Sequence, residues 1–243
     1  MRGTGSCGPT EAAGMPEAAK VTPRRRPPSQ PSFRPADPTA LPAQVAAALV
    51  DLDVPGTALR VAVDGPRAAD PGSFAASLLG PLRMLGRPAV HVRTDTFWRD
   101  AALRLEYGHT DLESFATGWL DTDALEREVL GPVGPGGNAS ILTSLRDPST
   151  NRATRAPAGL AEPGTVLLIS GELLLGRDLS FDATIHLALS SAARRRRTPE
   201  AWQWTLPAFD DYDRNVNPVR RADMVLRYDD PGHPAIRVDP VGR

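Results

Sequence analysis

The sequence predicts a doubly wound α/β domain on a mainly parallel sheet of five strands, and three observations predict it. Apolar runs of strand length stand at 58–63, 89–92, 165–169, 183–189 and 222–227. They read as near-continuous Val, Ile, Leu and Ala, the pattern of strands buried on both faces. Helical or irregular stretches separate each run from the next, as parallel connections require.

The elements follow in order. "LPAQVAAALVDL" (41–52) has helical spacing and strong helix formers, with Pro42 placed for a first turn. The first strand runs into a short loop and then "SFAASLLGPLRML" (73–85), a second helix; "DTDALEREVL" (121–130) is a third. "LGPVGPGGNAS" (130–140) carries too much Gly and Pro for regular structure, and "RDPSTNRATRAPAGLAEPG" (146–164) is a long polar passage before the third strand. Loops of that length in α/β domains serve as lids and substrate walls or form plain surface hairpins. Ahead of all this, residues 1–39 are crowded with Pro, Gly, Ser and Arg and show neither period. Such a stretch cannot bury enough apolar surface to offset its ordering entropy, so it reads as a disordered tail before a single domain at 40–243.

Composition narrows the function classes. The 243 residues carry a formal net charge of −1, with 23% charged and 41% apolar residues. That balance gives no strong field to recruit nucleic acid or an acidic membrane. The single cysteine, Cys7, lies in the tail and provides neither a disulfide framework nor a thiolate metal site. The four histidines show no metal-ligand spacing. No stretch approaches the eighteen or so apolar residues of a spanning helix, and no signal peptide is evident, so a cytoplasmic protein is expected. Lys20 is the only lysine, so the folded region has none.

The loop after the first strand, "RVAVDGPRAADPGSF" (60–74), resembles a phosphate-binding loop of the form G-x-x-x-x-G-K-[ST]. With Gly65 as its first glycine, Asp70 falls on the second glycine, Pro71 on the lysine and Gly72 on the hydroxyl residue. Further motifs keep the order and spacing of one family. "VAVDGPRAA" (61–69) is similar to V-A-V-D-G-P-D-A-A, "DTFW" (95–98) to D-x-F-[YH], and "LDTDAL" (120–125) to F-D-x-D-A-L. "LGPVGPGG" (130–137) is similar to L-x-P-L-G-P-G-G, "ISGELLL" (169–175) to V-[DE]-G-x-x-L-L, and "RRADMVLRYDDP" (220–231) to R-A-D-V-V-V-x-N-x-D-P. From about residue 41 to 231 the chain thus resembles the uridine kinase family of P-loop nucleoside kinases, and in particular a bacterial uridine kinase-like branch.

The resemblance implies a P-loop domain with a lid, and ATP and Mg²⁺ as cofactors. Phosphoryl transfer of this kind depends on positioning and on neutralising charge spread over the transferred group. The loop backbone supplies N–H donors, the lysine bridges β- and γ-phosphates, and the hydroxyl holds Mg²⁺. Here all three are altered. A carboxylate at Asp70, about 5 Å from a phosphate charge at an effective dielectric of about 20, costs on the order of 3 kcal/mol. Pro71 removes both a cation and an N–H. Arg67 and Ser73 are the residues that could stand in for the missing cation and hydroxyl, which with Gly65 makes them the nucleotide-side candidates. Ser170 takes the place of the acidic residue expected before the glycine of "ISGE", with Glu172 two positions on.

The acceptor side is better kept. The resemblance makes Asp95 the carboxylate that accepts the nucleoside 5′-hydroxyl proton; capping of the following turn would equally explain an aspartate there. Phe97 and Trp98 match the aromatic pair beside a nucleoside pocket, or else form an apolar wall under a loop. Asp121 matches the aspartate that approaches the ribose hydroxyls, and also fits a helix N-cap. "SSAARRRRTPEAW" (190–202) occupies the place of the arginine-bearing lid, where Arg194 and Arg197 are the candidates for phosphate contact. After it, Asp210, Asp211 and Asp213 would oppose a triphosphate or else gather a cation. Two readings follow: a kinase-fold protein that has lost ATP and Mg²⁺ handling and keeps a pocket for a nucleoside or similar hydroxyl compound, or an active kinase using Arg67 in place of the lysine.

Overall fold

Seven residues, "ALRVAVD", form the central strand because all but Arg60 are buried, which an extended segment achieves only with neighbours on both edges and cover on both faces. The structure, a computed structural model, describes residues 32–237 together with residues 1, 3 and 5. Of the stretch read as a disordered tail, 1–39, residues 2, 4 and 6–31 lie outside the described residues, while Phe33–Pro35 departs from that expectation by forming a strand of the sheet. In chain order the strands are β1 (Phe33–Pro35), β2 (Ala58–Asp64), β3 (Ala89–Arg93), β4 (Ser140–Ile141), β5 (Gly159–Leu160), β6 (Thr165–Gly171), β7 (Ala183–Ala188), β8 (Met224–Arg227) and β9 (Ala235–Arg237). The helices are α1 (Leu41–Val50), α2 (Pro71–Met84), α3 (Ala101–Arg104), α4 (Thr122–Leu125), α5 (Gly131–Val133), α6 (Ser191–Arg197), α7 (Leu206–Asn215) and α8 (Pro218–Arg221).

The sheet runs β1-β9-β8-β7-β2-β6-β3. Its five inner and right-hand strands, β8, β7, β2, β6 and β3, are all parallel, and they are the five apolar runs of the sequence. This is the expected α/β architecture with a mainly parallel sheet. Two three-residue strands extend it: β9 pairs antiparallel with β8, and β1 with β9. Both are too short to carry a period, and β1 lies between prolines, so nothing local marks them.

Alternation along the strands divides the core. Val61 and Val63 of β2 with Val166 and Leu168 of β6 face α1 and α2, where they meet Leu41, Val45, Leu49, Phe74, Leu78 and Leu82. Ala62, Leu167 and Ile169 point to the other face and meet Phe97, Leu125, Leu130 and Phe209. Burying one such Leu or Phe is worth about 1.5–3 kcal/mol, so both layers hold the sheet between them. Among the described residues no helix is long and apolar enough to cross a membrane.

The chain leaves β2 towards β3 and leaves β6 in the opposite direction towards β7, so the connections diverge between two adjacent strands. The crevice outside the carboxyl ends of such strands is where open α/β sheets bind ligands.

Candidate functional site

β2 ends at Asp64, and the loop that follows is tightly placed. The Gly65 N–H donates to the Gly171 carbonyl at 3.1 Å. A side chain at Gly65 would press on Leu187, whose Cβ would lie 3.0 Å away. Arg67–Ala69 make one 3₁₀ turn, and Asp70 then turns left-handed at φ 53°, ψ 63° before Pro71 opens α2. Glycine enters that region freely, whereas aspartate pays roughly 1 kcal/mol and does so because its short side chain can bond locally. Asp70 Oδ1 accepts the Ser73 N–H at 3.0 Å. The amino end of α2, where a phosphate loop places its anion, thus holds the chain's own carboxylate.

Arg67 is fastened in place. Its backbone N–H donates to Glu172 Oε1 at 2.7 Å and its guanidinium to Oε2 at 3.0 Å. The guanidinium carbon also lies 3.3 Å from the ring centre of Trp202, on the segment Glu200–Thr205 between α6 and α7. Burial pushes the Glu172 carboxyl above its ordinary range, against the pull of Arg67.

Beyond the loop opens a cavity of about 600 Å³, bounded by the loop itself, the start of α2 and the ends of β3 and β6. Arg67, Ser73, Asp95 and Trp98 all line it. Asp95 sits in the 3₁₀ turn Thr94–Phe97 after β3. One of its oxygens bonds Arg93; the other, Oδ1, is buried and has no partner. His91 Nε2 and Ser170 Oγ are 2.8 Å apart, joining β3 to β6 on the cavity wall. Burial and the nearby Arg93 hold the His91 imidazole below its ordinary pKa of 6.5, with Asp95 opposing. Gly171 lets the strands close here: a Cβ on it would fall 1.8 Å from Thr94 Oγ1.

Aromatic rings close the cavity. Trp98 and Trp119 line it, and the chain's other two tryptophans, Trp202 and Trp204, pack against them. Trp98 meets Trp119 edge-on at 5.1 Å, and Trp202 stacks on Trp204 at 6.3 Å. Trp119 lies 6.0 Å from Trp202, so the segment ahead of α4 meets the segment Glu200–Thr205 through indoles.

The other residues singled out from sequence lie elsewhere. Gly65 supports the loop without lining the cavity. Phe97 is fully buried in the core beneath it. Asp121 accepts the Ala124 N–H at 2.9 Å and caps α4, with its side chain beside a separate surface cavity. Arg194 is buried and bonds Asp210 at 2.6 Å and Asp213 at 2.9 Å, under the ring of Phe209. The acidic cluster on α7 is thus partly neutralised by an arginine of α6. Arg197 donates to the Tyr228 carbonyl at 2.7 Å.

Sequence reasoning missed the tightest polar network. Asp64 is fully buried and accepts from Leu174 N–H at 2.9 Å, Tyr212 Oη at 3.0 Å and His186 Nδ1 at 2.7 Å. The Tyr212 oxygen in turn accepts the Leu175 N–H at 2.9 Å, and burial beside Asp64 drives its pKa well above the ordinary phenol range. Aspartate at the end of a strand otherwise made of Val, Ala and Leu was the available signal.

As arranged, these residues do not fit a magnesium triphosphate. The helix end is occupied by Asp70, the loop's cation is paired with Glu172, and Pro71 offers no N–H. Among the described residues no group of three or more His, Cys, Asp or Glu is placed to hold a metal.

No family model and no curated protein matches the sequence. Solved structures share the fold. A candidate uridine kinase of Bacillus stearothermophilus superposes with a TM-score of 0.62 at 17% identity, covering 77% of this chain and 98% of that one. A candidate fructose transport system kinase of Silicibacter sp. TM1040 gives 0.55 at 23% identity, covering 74% and 94%. At such identities the likeness is one of architecture, and this chain shares the fold of those two structures.

Proposed function

We propose that this protein uses a uridine kinase-like fold as a binding scaffold, without ATP and Mg²⁺ handling, and holds a nucleoside or similar small hydroxyl compound at Asp95. The observation that carries this reading is the Asp70 carboxylate on the Ser73 N–H, which fills the anion seat of α2. Supporting it, Arg67 is committed to Glu172 and Trp202, while Asp95, on the cavity wall, keeps a buried Oδ1 without a donor. A buried acceptor of that kind is satisfied by a ligand hydroxyl or amine, and the indoles of Trp98 and Trp119 offer a planar ring a wall.

The competing reading, an active kinase with Arg67 in place of lysine, requires Arg67 to leave both partners at once. Arg67 is held to Glu172 through both its backbone N–H and its guanidinium, which also lies on the face of Trp202, so it is poorly suited to that exchange. Calorimetric titration of the full chain with ATP, with and without Mg²⁺, separates the two. No heat is expected up to millimolar ATP. Metal-dependent binding in the micromolar range would overturn the scaffold reading and restore the kinase.

A further inference from the structure

We propose that Ser170 and His91 form a nucleophile and general-base pair that hydrolyses an ester or thioester of a small carboxylic acid in the 600 Å³ cavity. Four observations carry it. Ser170 Oγ and His91 Nε2 stand at 2.8 Å, the separation at which a hydroxyl proton passes to an imidazole. Both residues line the cavity of about 600 Å³ after β3 and β6, so the pair borders a space of substrate size. The pair is held by the sheet itself: Ser170 on β6 is in register with Arg93 on β3, two residues along from His91. Gly72 in the first turn of α2 sets no side chain against the hydroxyl of Ser170, which is 3% exposed; a Cβ there would lie in van der Waals contact with Oγ at 3.8 Å.

The charged surroundings suit the step. Burial and Arg93 keep His91 neutral at neutral pH, as a base must be, and Asp95 stabilises the imidazolium that forms. Arg93 lies on the same face of β3 as His91 and lines the cavity, where it meets negative charge growing on the carbonyl oxygen. Trp98 and Trp119 provide the wall for an aromatic leaving group.

The chemistry balances without a cofactor. Neutral His91 carries its proton on Nδ1, so Nε2 accepts the Ser170 proton as Oγ bonds to the carbonyl carbon and the carbonyl π pair moves onto oxygen. Collapse of the tetrahedral species breaks the bond to the alcohol or thiol, which leaves with the proton from Nε2 and an acyl group on Ser170. Water then gives a proton to Nε2 and attacks the acyl carbon; the carboxylic acid departs and Ser170 regains its proton.

The test uses the full chain, a fluorophosphonate probe and p-nitrophenyl acetate, with no nucleotide present, so its outcome is independent of ATP handling. One adduct per chain is expected on the peptide containing Ser170, with a burst of p-nitrophenolate. Ser170→Ala should lose both. His91→Gln, with its fold confirmed by circular dichroism, should label about 100-fold more slowly or worse. The labelling rate of the natural chain should stay flat through neutral pH and fall only below the ordinary imidazole range. Absence of an adduct, an adduct on Ser73 instead, or equal labelling of His91→Gln would each overturn the proposal.

Discussion

The two ends of the cavity treat their polar groups in opposite ways. At the loop end each charge is met by the chain itself: Asp70 by the Ser73 amide, Arg67 by Glu172 and the face of Trp202. At the β3 end, Asp95 keeps a buried oxygen without a donor, and His91 and Ser170 bond each other on the cavity wall. Closing a site internally is thermodynamically cheap when the missing ligand is an anion, because a carboxylate can imitate it at a helix end. A polar acceptor pocket has no such substitute and keeps its unmet demand. The same scaffold can therefore lose one ligand and retain room for the other.

The largest effect should come from the residue beneath both ends. Asp64 is fully buried and accepts three hydrogen bonds, so Asp64→Ala strands the Leu174 amide, the Tyr212 hydroxyl and His186 together. The expected loss is about 4 kcal/mol, read by urea denaturation, or a Tm lower by about 10 °C. Hydrogen exchange sharpens the comparison. The Leu174 and Leu175 amides, both tied to this network, should open early, while Val90 and Val92 on β3 stay protected until global unfolding. A loss below about 1 kcal/mol would show that the network does not hold the loop end.

How much of this could be read beforehand depends on sequence distance. The five parallel strands were legible because burial on both faces writes itself as an unbroken apolar run, as in "TVLLIS". β1 and β9 were not, since three residues owe their state to pairing alone. Within the site, Arg67, Ser73, Asp95 and Trp98 could be picked out, and they line one cavity. What Arg67 does there was hidden, because its partner Glu172 lies 105 residues away. His91 and Ser170 are 79 apart, and Asp64 and His186 are 122 apart. Local pattern reveals a turn or a cap, whereas a contact made across the sheet appears only once strand order is known. Asp121 was legible for the opposite reason, since its bond to the Ala124 amide is three residues long.

A middle-sized effect should follow from Arg67→Ala. It leaves Glu172 buried beside an empty space, at a cost of about 1–2 kcal/mol, reduced because the arginine itself is 30% exposed. Trp202 loses the cation on its face, so tryptophan emission should shift as well. The pH dependence has a definite sign. Burial already raises the folded-state pKa of Glu172 above its ordinary 4.5, and losing Arg67 raises it further. The folded state then holds a proton that the unfolded state releases, so the deficit should grow as pH climbs above that value and shrink on acidification. Adding Glu172→Gln should remove this slope. A pH-independent deficit would mean that Arg67 acts through Trp202 and not through the carboxylate.

The smallest change in stability should accompany Asp70→Gly, which also bears most directly on the contrast between the two ends. Glycine takes the left-handed turn without strain, recovering roughly 1 kcal/mol, while loss of the bond to the Ser73 amide costs about as much. The net shift should stay within about 0.5 kcal/mol. Removing the carboxylate nonetheless reopens the amino end of α2 to an outside anion. Weak, millimolar binding of pyrophosphate should appear in calorimetry where the natural chain shows none. It should not depend on Mg²⁺, because Pro71 and Ser170 still lack the lysine and the acidic group that a metal-nucleotide needs. If the variant is equally stable yet still ignores pyrophosphate, the Asp70 carboxylate is a helix cap alone, and the closure of the loop end must be assigned to Arg67 and Glu172.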